Sequence, residues 1–279
     1  SVKSYESAIA LEPDNAEAHN NLGNVLRELE QLDAAIGSYE KAIVINPDYV
    51  EAHYSLGLTF YDLGKLEDTV KSYKKVVAIK PDFAGMHNNL GNVYRELGEL
   101  DAALKSYKKA IAIKPDFFKA FLNQGITFQE LDQLGSAVKC YKDAITINPD
   151  SFEVFNNLGV ALNNLGEIDE AINCYKSAIA IKPDYAEAHN NLGIVLKELD
   201  EINDAVDCHE KAIAIKPDFF EAHNNLGITF LDLNQLNKAA KSFEQAIMLK
   251  PDYAEAHNNL GIVLKELDEI NDAVECHEK

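Results

Sequence analysis

The chain has 279 residues with 26 Lys or Arg against 46 Asp or Glu, which gives a formal net charge of −20. This charge argues against nucleic acid as a general partner, because phosphate binding needs a cationic surface. No uninterrupted apolar run exceeds four residues, so we expect neither a membrane span nor a signal-peptide core.

Proline and glycine recur along the chain at an interval of 34 residues. The prolines are Pro13, Pro47, Pro81, Pro115, Pro149, Pro183, Pro217 and Pro251. The glycines of the same period are Gly23, Gly57, Gly91, Gly125, Gly159, Gly193, Gly227 and Gly261. A fixed period of this length is typical of a solenoid, in which each unit packs against its neighbours. We therefore expect one elongated domain over 1–279 rather than two globular domains.

The period divides the chain into units that we count from Ala16, so that Ala16 is position one. The predicted units are a half unit at 1–15, full units at 16–49, 50–83, 84–117, 118–151, 152–185, 186–219 and 220–253, and a truncated unit at 254–279.

Each full unit reads as two helices joined by a turn. In the first unit, apolar residues at three- and four-residue spacing predict a helix from Ala16 to about Leu29. Asp14 with Glu17 matches a capping box at its start, and a turn is expected at Glu30. A second helix is predicted to begin with Asp33 as its N-cap.

The second helix should end before Pro47, because the residue that precedes a proline avoids the helical region. The small residues Gly23 and Ala35 are expected to face each other between the two helices. Glycine inside a helix costs about 1 kcal/mol relative to alanine, so its repetition indicates a packing requirement.

These residues resemble the tetratricopeptide repeat pattern in its usual spacing. The matching residues in the first full unit are Leu22, Gly23, Leu26, Ala35, Tyr39, Ala42 and Pro47. The resemblance covers the whole chain and implies an all-α fold, a right-handed α-solenoid (superhelix) of tandem helix-turn-helix units. It also implies that the first helices line a concave groove and the second helices form the outside.

Asparagine dominates two positions of the first helix. The sixth position holds Asn21, Asn89, Asn123, Asn157, Asn191, Asn225 and Asn259, interrupted only by Ser55. The fifth position holds Asn20, Asn88, Asn156, Asn190, Asn224 and Asn258. Asparagine is a mediocre helix former, so helix propensity does not explain the repetition.

A carboxamide both donates and accepts hydrogen bonds, so a row of carboxamides could hold a peptide main chain of any sequence. The row resembles the asparagine ladder in the superhelical region of O-linked N-acetylglucosamine transferases, where such residues hold substrate main chain. Two alternatives stay open: the amides bridge neighbouring helices, or they record recent duplication of a unit. Tyr185–Lys211 and Tyr253–Lys279 differ only at Asp207 against Glu275.

The ninth position becomes apolar in the second half of the chain, where Ile194 and Ile228 join the candidate peptide-binding residues. The thirteenth position is acidic in seven of the eight units. These two features predict a ligand segment that is neutral to basic and has spaced apolar side chains.

The remaining reactive side chains do not form a catalytic or metal-binding pattern. Six histidines share the fourth position of their units, and neighbouring ones would lie about 10 Å apart, too far to share a metal at about 2 Å. We therefore predict a protein without enzymatic activity, cofactor or metal, and unpaired cysteines favour a cytoplasmic location.

The sequence thus predicts a protein–protein interaction scaffold that binds extended peptides along an asparagine-lined groove. Two alternatives remain. In the first, the chain is the substrate-recognition arm of a larger enzyme such as a glycosyltransferase. In the second, the chain assembles head to tail, because both of its ends fall inside a unit.

Overall fold

A computed structural model describes residues 2–277, with side chains described up to residue 267. The part of the chain that it describes is helical throughout and contains no strand. The helices are α1 Val2–Leu11, α2 Ala16–Glu28, α3 Leu32–Ile45, α4 Val50–Asp62, α5 Leu66–Ile79, α6 Ala84–Glu96, α7 Leu100–Ile113, α8 Phe118–Glu130, α9 Leu134–Ile147, α10 Phe152–Asn164, α11 Ile168–Ile181, α12 Ala186–Glu198, α13 Ile202–Ile215, α14 Phe220–Asp232, α15 Leu236–Leu249 and α16 Ala254–His277.

Residues 1–133 and 134–279 form two compact units, which we call the N-terminal unit and the C-terminal unit. The N-terminal unit contains the helix hairpins α2–α3, α4–α5 and α6–α7, and the C-terminal unit contains α10–α11, α12–α13 and α14–α15. Within each unit, the second helix of one hairpin also packs on the first helix of the next. The predicted all-α solenoid of helix-turn-helix repeats is therefore confirmed.

The turn inside each hairpin lies where the sequence predicts it. The residue at the turn has a positive φ angle in every repeat from Glu30, with φ of 59°, to Asn234, with φ of 54°. Three of these residues are glycines, for example Gly64 with φ of 69°, and the other four are Glu, Asp or Asn. Only glycine adopts this region without steric cost, so packing of the hairpin must stabilise the non-glycine turns.

The helix caps differ from the sequence prediction by one or two residues. The N-cap of α2 is Asn15, whose side chain accepts a hydrogen bond from the Ala18 N–H at 2.9 Å, and not Asp14. The N-cap of α3 is Gln31, so Asp33 lies in the first turn of the helix. A carboxylate in the first turn still interacts favourably with the helix dipole, which explains the same sequence signal without a side-chain cap.

The atoms nearest to the repeated glycine belong to an aromatic ring of the second helix, a neighbour that the sequence prediction did not include. A Cβ atom built on Gly23 would lie 2.5 Å from a ring carbon of Tyr39. The same clash occurs at Gly193, where the neighbour is His209 at 2.7 Å. Ala35, which the sequence predicted opposite Gly23, is fully buried in the same cluster as Tyr39. The glycine is therefore required by the close approach of a ring on the second helix.

The histidines at the fourth position fasten the loops between repeats. The Nε2–H of His19 donates to the Pro13 carbonyl at 3.0 Å, and that of His53 donates to the Pro47 carbonyl at 2.8 Å. The same bond forms at His87, His189, His223 and His257. This contact gives each of these histidines a structural role.

The truncated unit departs from the repeat pattern. The backbone of 254–277 is one continuous helix, α16, whereas the nearly identical residues from Ala186 onward form α12, a turn at Asp200 and α13. α13 packs on both α12 and α14. That packing stabilises the left-handed turn at Asp200, and the described part of the chain holds no corresponding third element beside α16.

Candidate functional site

The first helices of successive repeats contact one another within each unit: α2 with α4, α6 with α8, α10 with α12, α12 with α14 and α14 with α16. Positions six, nine, twelve and thirteen of these helices form the surface that we call the first-helix face. In α2 these residues are Asn21, Asn24, Arg27 and Glu28. The predicted ligand contacts belong to this face, so its hydrogen bonds determine which side chains can reach a partner.

The sixth-position asparagines are all half-buried, and four of them are fixed by a hydrogen bond to the preceding repeat. In each case the Nδ2–H donates to the Oδ1 of a fifth-position asparagine. The four pairs are Asn123 with Asn88 at 3.1 Å, Asn191 with Asn156 at 3.0 Å, Asn225 with Asn190 at 3.0 Å and Asn259 with Asn224 at 3.2 Å. The amide row therefore also links neighbouring repeats.

The fifth-position asparagines lie beneath this row. Their exposed fractions are 6% or less at Asn20, Asn88, Asn156, Asn190 and Asn224, while Asn258 is exposed. A buried amide of this kind cannot offer its groups to a ligand without a rearrangement. The structure thus narrows the sequence prediction: Asn88, Asn156, Asn190 and Asn224 hold sixth-position amides in place, and the sixth-position amides remain as candidate ligand contacts.

The hydrogen bonds between fifth- and sixth-position asparagines, which we call the ladder, are absent where one of the two asparagines is missing. Asn20 is 4% exposed, and its Oδ1 has no hydrogen-bond partner among the described residues. The sixth position of the next repeat is Ser55, which carries no amide to donate. Asn157 lacks a fixing partner for the opposite reason, since the fifth position of the preceding repeat is Leu122. These exceptions confirm that both positions are needed for the bond.

The ninth position is mixed in the N-terminal unit, where it holds Asn24, Leu58, Asn92 and Ile126, and it is apolar throughout the C-terminal unit. In the N-terminal unit, Asn24 and Asn92 accept hydrogen bonds from the hydroxyls of Tyr39 and Tyr107 at 3.0 and 2.9 Å. In the C-terminal unit the same position holds Val160, Ile194, Ile228 and Ile262. Ile194 and Ile228 are half-buried, and Ile262 is 46% exposed. The C-terminal unit therefore offers apolar contact area beside its amides.

A second row of contacts, which sequence analysis missed, joins position twelve of one repeat to the acidic position thirteen of the next. The pairs are Arg27 with Asp62 at 2.8 Å, the Tyr61 hydroxyl with Glu96 at 2.6 Å, Arg95 with Glu130 at 3.8 Å and Lys197 with Asp232 at 3.4 Å. A donor followed 35 residues later by a carboxylate was the signal in the sequence. The three basic residues of this row offset part of the negative charge expected along the face.

A cavity of about 820 Å³ opens beside this second row in the N-terminal unit. It is lined by Asn24, Arg27, Glu28, Glu30, Leu32 and Asp62. The hydrogen bond from Tyr61 to Glu96, together with burial, raises the pKa of the Tyr61 hydroxyl. The tyrosine therefore stays protonated and acts as a donor in this row.

A buried histidine lies beneath the row of sixth-position amides in the C-terminal unit. His209 is fully buried, and its Nδ1–H donates to Asn190 Oδ1 at 3.1 Å. Asn190 Oδ1 also accepts from Asn225, so the histidine and the sixth-position amide share one acceptor. Nε2 of His209 has no partner among the described residues. Burial lowers the pKa of His209 to about 4, and the nearby charge of Lys197 adds to the effect.

The residues that the structure describes do not assemble a metal-binding or nucleophilic group. No cluster of three or more His, Cys, Asp or Glu side chains is placed to hold a metal within that part of the chain. Burial raises the pKa of the Cys140 and Cys174 thiols to about 11, which keeps them protonated near neutral pH. None of the helices in the described residues has the length and apolar character needed to cross a bilayer.

Stacked helix hairpins with a polar row along their first helices define an α-solenoid protein of the kind that presents an extended surface to partners. Comparison with protein-family models identifies the kind of solenoid. A model described as TPR repeat matches residues 1–29, 23–64, 58–98, 91–132, 127–166, 161–200 and 229–268, and a model described as tetratricopeptide repeat matches 186–219. The chain belongs to the tetratricopeptide repeat family.

Solved structures with this fold include a chain of the APC/C hetero-tetramer Cut9–Hcn1, with a TM-score of 0.65 and 16% identity over 94% of this chain. This chain spans 52% of that protein, about half its length. MamA is 28% identical with a TM-score of 0.54, and the match covers 60% of this chain and 97% of MamA. No curated protein sequence matches the chain.

YrrB, described as a TPR protein with an unusual peptide-binding site, has a TM-score of 0.55 and 21% identity over 68% of this chain and 97% of its own. At this level of identity the likeness concerns the fold. Family and fold together support a role as a protein-interaction scaffold.

Proposed function

We propose that the first-helix face binds extended peptide segments of partner proteins and recognises mainly their main chain. The observation that carries this proposal is the row of sixth-position amides in the C-terminal unit, where interrepeat hydrogen bonds fix Asn191, Asn225 and Asn259. A ligand site built from side chains that are already fixed loses less conformational entropy on binding.

The chemistry of the fixed amides matches a peptide main chain. Asn191, Asn225 and Asn259 each use one N–H of the NH₂ group in the ladder, which leaves the second N–H and the Oδ1 atom to pair with a peptide carbonyl and a peptide N–H. Asn123 differs, because its Nδ2 donates to both Asn88 and Asn92. Neighbouring packed helices lie about 8–10 Å apart. This spacing equals about three residues of an extended chain at roughly 3.3 Å per residue. One amide would then contact every third residue of the ligand.

The residues around the amides determine which ligand side chains are favoured. Ile194 and Ile228 lie one turn along the helix from Asn191 and Asn225 and would contact apolar side chains. Carboxylates at position thirteen that form no ion pair within the described residues, such as Glu198, favour a neutral to basic segment. The proposal also includes a non-enzymatic role for this chain and a cytoplasmic location. The recognition arm of a larger enzyme and head-to-tail assembly stay predictions from the sequence.

A pair of variants separates binding from structure. Asn157 has no hydrogen bond to another described residue, so Asn157→Ala should weaken peptide binding at least fivefold and change the free energy of unfolding by less than about 0.5 kcal/mol. Asn191→Ala would also leave the buried Oδ1 of Asn156 without its donor, which costs about 1–3 kcal/mol. The stability loss should therefore appear in the second variant alone.

The measurement uses fluorescein-labelled twelve-residue peptides selected from a random phage library on the wild-type protein, with binding followed by fluorescence anisotropy. Asn203→Ala, at an exposed position of α13 outside the first-helix face, serves as the control. If Asn157→Ala and Asn191→Ala both bind the selected peptides as tightly as wild type, the amides do not contact the ligand and the proposal fails.

A further inference from the structure

Two second helices of the N-terminal unit carry a concentration of positive charge that is unusual for this chain. Helices α5 and α7 present six exposed lysines, namely Lys71, Lys74, Lys75, Lys105, Lys108 and Lys109. Their acidic residues are confined to the first turn, at Glu67, Asp68 and Asp101. The rest of each helix is therefore cationic, although the whole protein has a net charge of −20.

The fold does not account for these lysines. Cations stabilise a helix through its dipole only in the last turn, and the last turns of α5 and α7 hold no basic residue. Lys71 pairs with Asp68 at 2.8 Å, and Lys74 lies 5.5 Å from the centre of the Tyr94 ring. Within the described part of the N-terminal unit, no carboxylate lies within 4.0 Å of the other four ammonium groups.

A groove lies between the same two helices. It encloses about 480 Å³ and is lined by Lys74, Val77, Ala78, Pro81, His87, Lys109, Ala112 and Ile113. The Nε2–H of His87 already donates to the Pro81 carbonyl at 2.9 Å, so these two groups are satisfied. What remains is an apolar groove with one lysine contributed by each helix. Its volume falls within the range of roughly 300–1,000 Å³ that is typical of ligand pockets.

We propose that this basic groove binds an acidic segment of another protein, which inserts apolar side chains between α5 and α7 and places its carboxylates against the lysines. Charge complementarity identifies the class of ligand, because apolar walls with exposed ammonium groups match alternating acidic and apolar side chains. A second copy of this chain fits less well, since two molecules of charge −20 repel each other at long range. The groove lies on the second helices, so it is separate from the first-helix face.

The chain contains an internal control for this groove. An equivalent groove of about 680 Å³ lies between α1 and α3, and its lining includes Gly37, Glu40, Lys41 and Val44. Val44 is 81% exposed, so this groove is also apolar. Its one glutamate and one lysine give no net charge, however. The two grooves therefore share their place in the repeat but differ in electrostatics.

The test uses two fluorescein-labelled twelve-residue peptides, one of alternating Glu-Glu and Leu-Leu pairs and one in which every Glu is Gln. We expect the wild-type protein to bind the Glu/Leu peptide at least tenfold more tightly than the Gln/Leu peptide, with affinity falling as NaCl rises from 50 to 300 mM. Lys74→Glu with Lys109→Glu should reduce binding of the Glu/Leu peptide at least tenfold, and Lys41→Glu in the neutral groove should leave it unchanged.

Lys74→Gln with Lys109→Gln provides a milder variant with the same expected direction, and unchanged circular dichroism melting curves show that each variant is folded. The proposal is overturned if the wild-type protein ignores the Glu/Leu peptide, or if Lys41→Glu weakens binding as much as the double charge reversal. It is also overturned if sedimentation shows a wild-type dimer that the double charge reversal dissociates, because the occupant is then a second copy of the chain.

Discussion

The buried histidine of the C-terminal unit should make that region less stable in mild acid. His209 takes a position that holds tyrosine in five other full repeats and packs its ring on Gly193. It is fully buried, and its pKa falls from 6.5 to about 4 because burial disfavours the charged form. The unfolded chain takes up a proton near pH 6.5, whereas the folded chain does so only near pH 4.

The sign and size of the effect follow from this difference. Stability is fully present above pH 6.5, falls as the pH decreases from 6.5 to 4, and levels off below that range. With one pKa unit equal to about 1.36 kcal/mol, the loss between pH 7 and pH 5 is about 2 kcal/mol. Replacing His209 with Phe, the residue found at Phe243 in the next repeat, should remove this loss.

The assay is amide hydrogen exchange of α12 and α13, which reports the local free energy of opening, because a repeat protein need not unfold in one step. The quantity of interest is the change between pH 7 and pH 5, compared between wild type and His209→Phe. Tyr175→Phe, at the same position of another repeat, is the control and should behave as wild type. A difference below about 0.5 kcal/mol between wild type and His209→Phe would refute a buried neutral histidine.

Three further predictions concern packing, the amide ladder and the thiols. Gly23→Ala should destabilise the protein by about 1–3 kcal/mol, because the added methyl group overlaps the ring of Tyr39. Gly37→Ala should stabilise the protein by about 0.5–1 kcal/mol, because no atom lies within 4 Å of the added methyl group and alanine is the better helix former. Urea unfolding measures both changes. Ser55→Asn should raise stability by about 1 kcal/mol by giving Asn20 its missing donor. Cys174 should react with iodoacetamide at pH 8 roughly a hundredfold more slowly than a free thiol, in site-resolved mass spectrometry, because its pKa is raised to about 11.

Each of these has a direct check. Equal effects of alanine at Gly23 and Gly37 would mean that the ring moves aside without cost. Ser55→Ala controls for the lost hydroxyl and should not raise stability. If Ser55→Ala and Ser55→Asn raise stability equally, the hydrogen bond to Asn20 is not the cause. Fast alkylation of Cys174 in the folded protein would show that the thiol is not shielded by its surroundings.

The sequence by itself determined the repeating parts of the fold. The 34-residue period of Gly23, Pro47 and their equivalents required a local unit of two helices, and the backbone turns at Glu30 as the pattern predicts. It also located the asparagine row. It did not show that Asn20 and its equivalents lie beneath that row, because fifth and sixth positions are both polar and only contact with the next repeat separates them.

The tertiary structure decided how identical residues fold in two places. Residues from Ala186 onward form the hairpin α12–α13, while the same residues from Ala254 onward form the single helix α16. Local propensity is the same in both segments, so it cannot choose between them. The left-handed turn at Asp200 costs about 1–2 kcal/mol. That cost is offset only where a second helix can pack on two neighbours and cover Gly193 with a ring, as α13 does against α12 and α14.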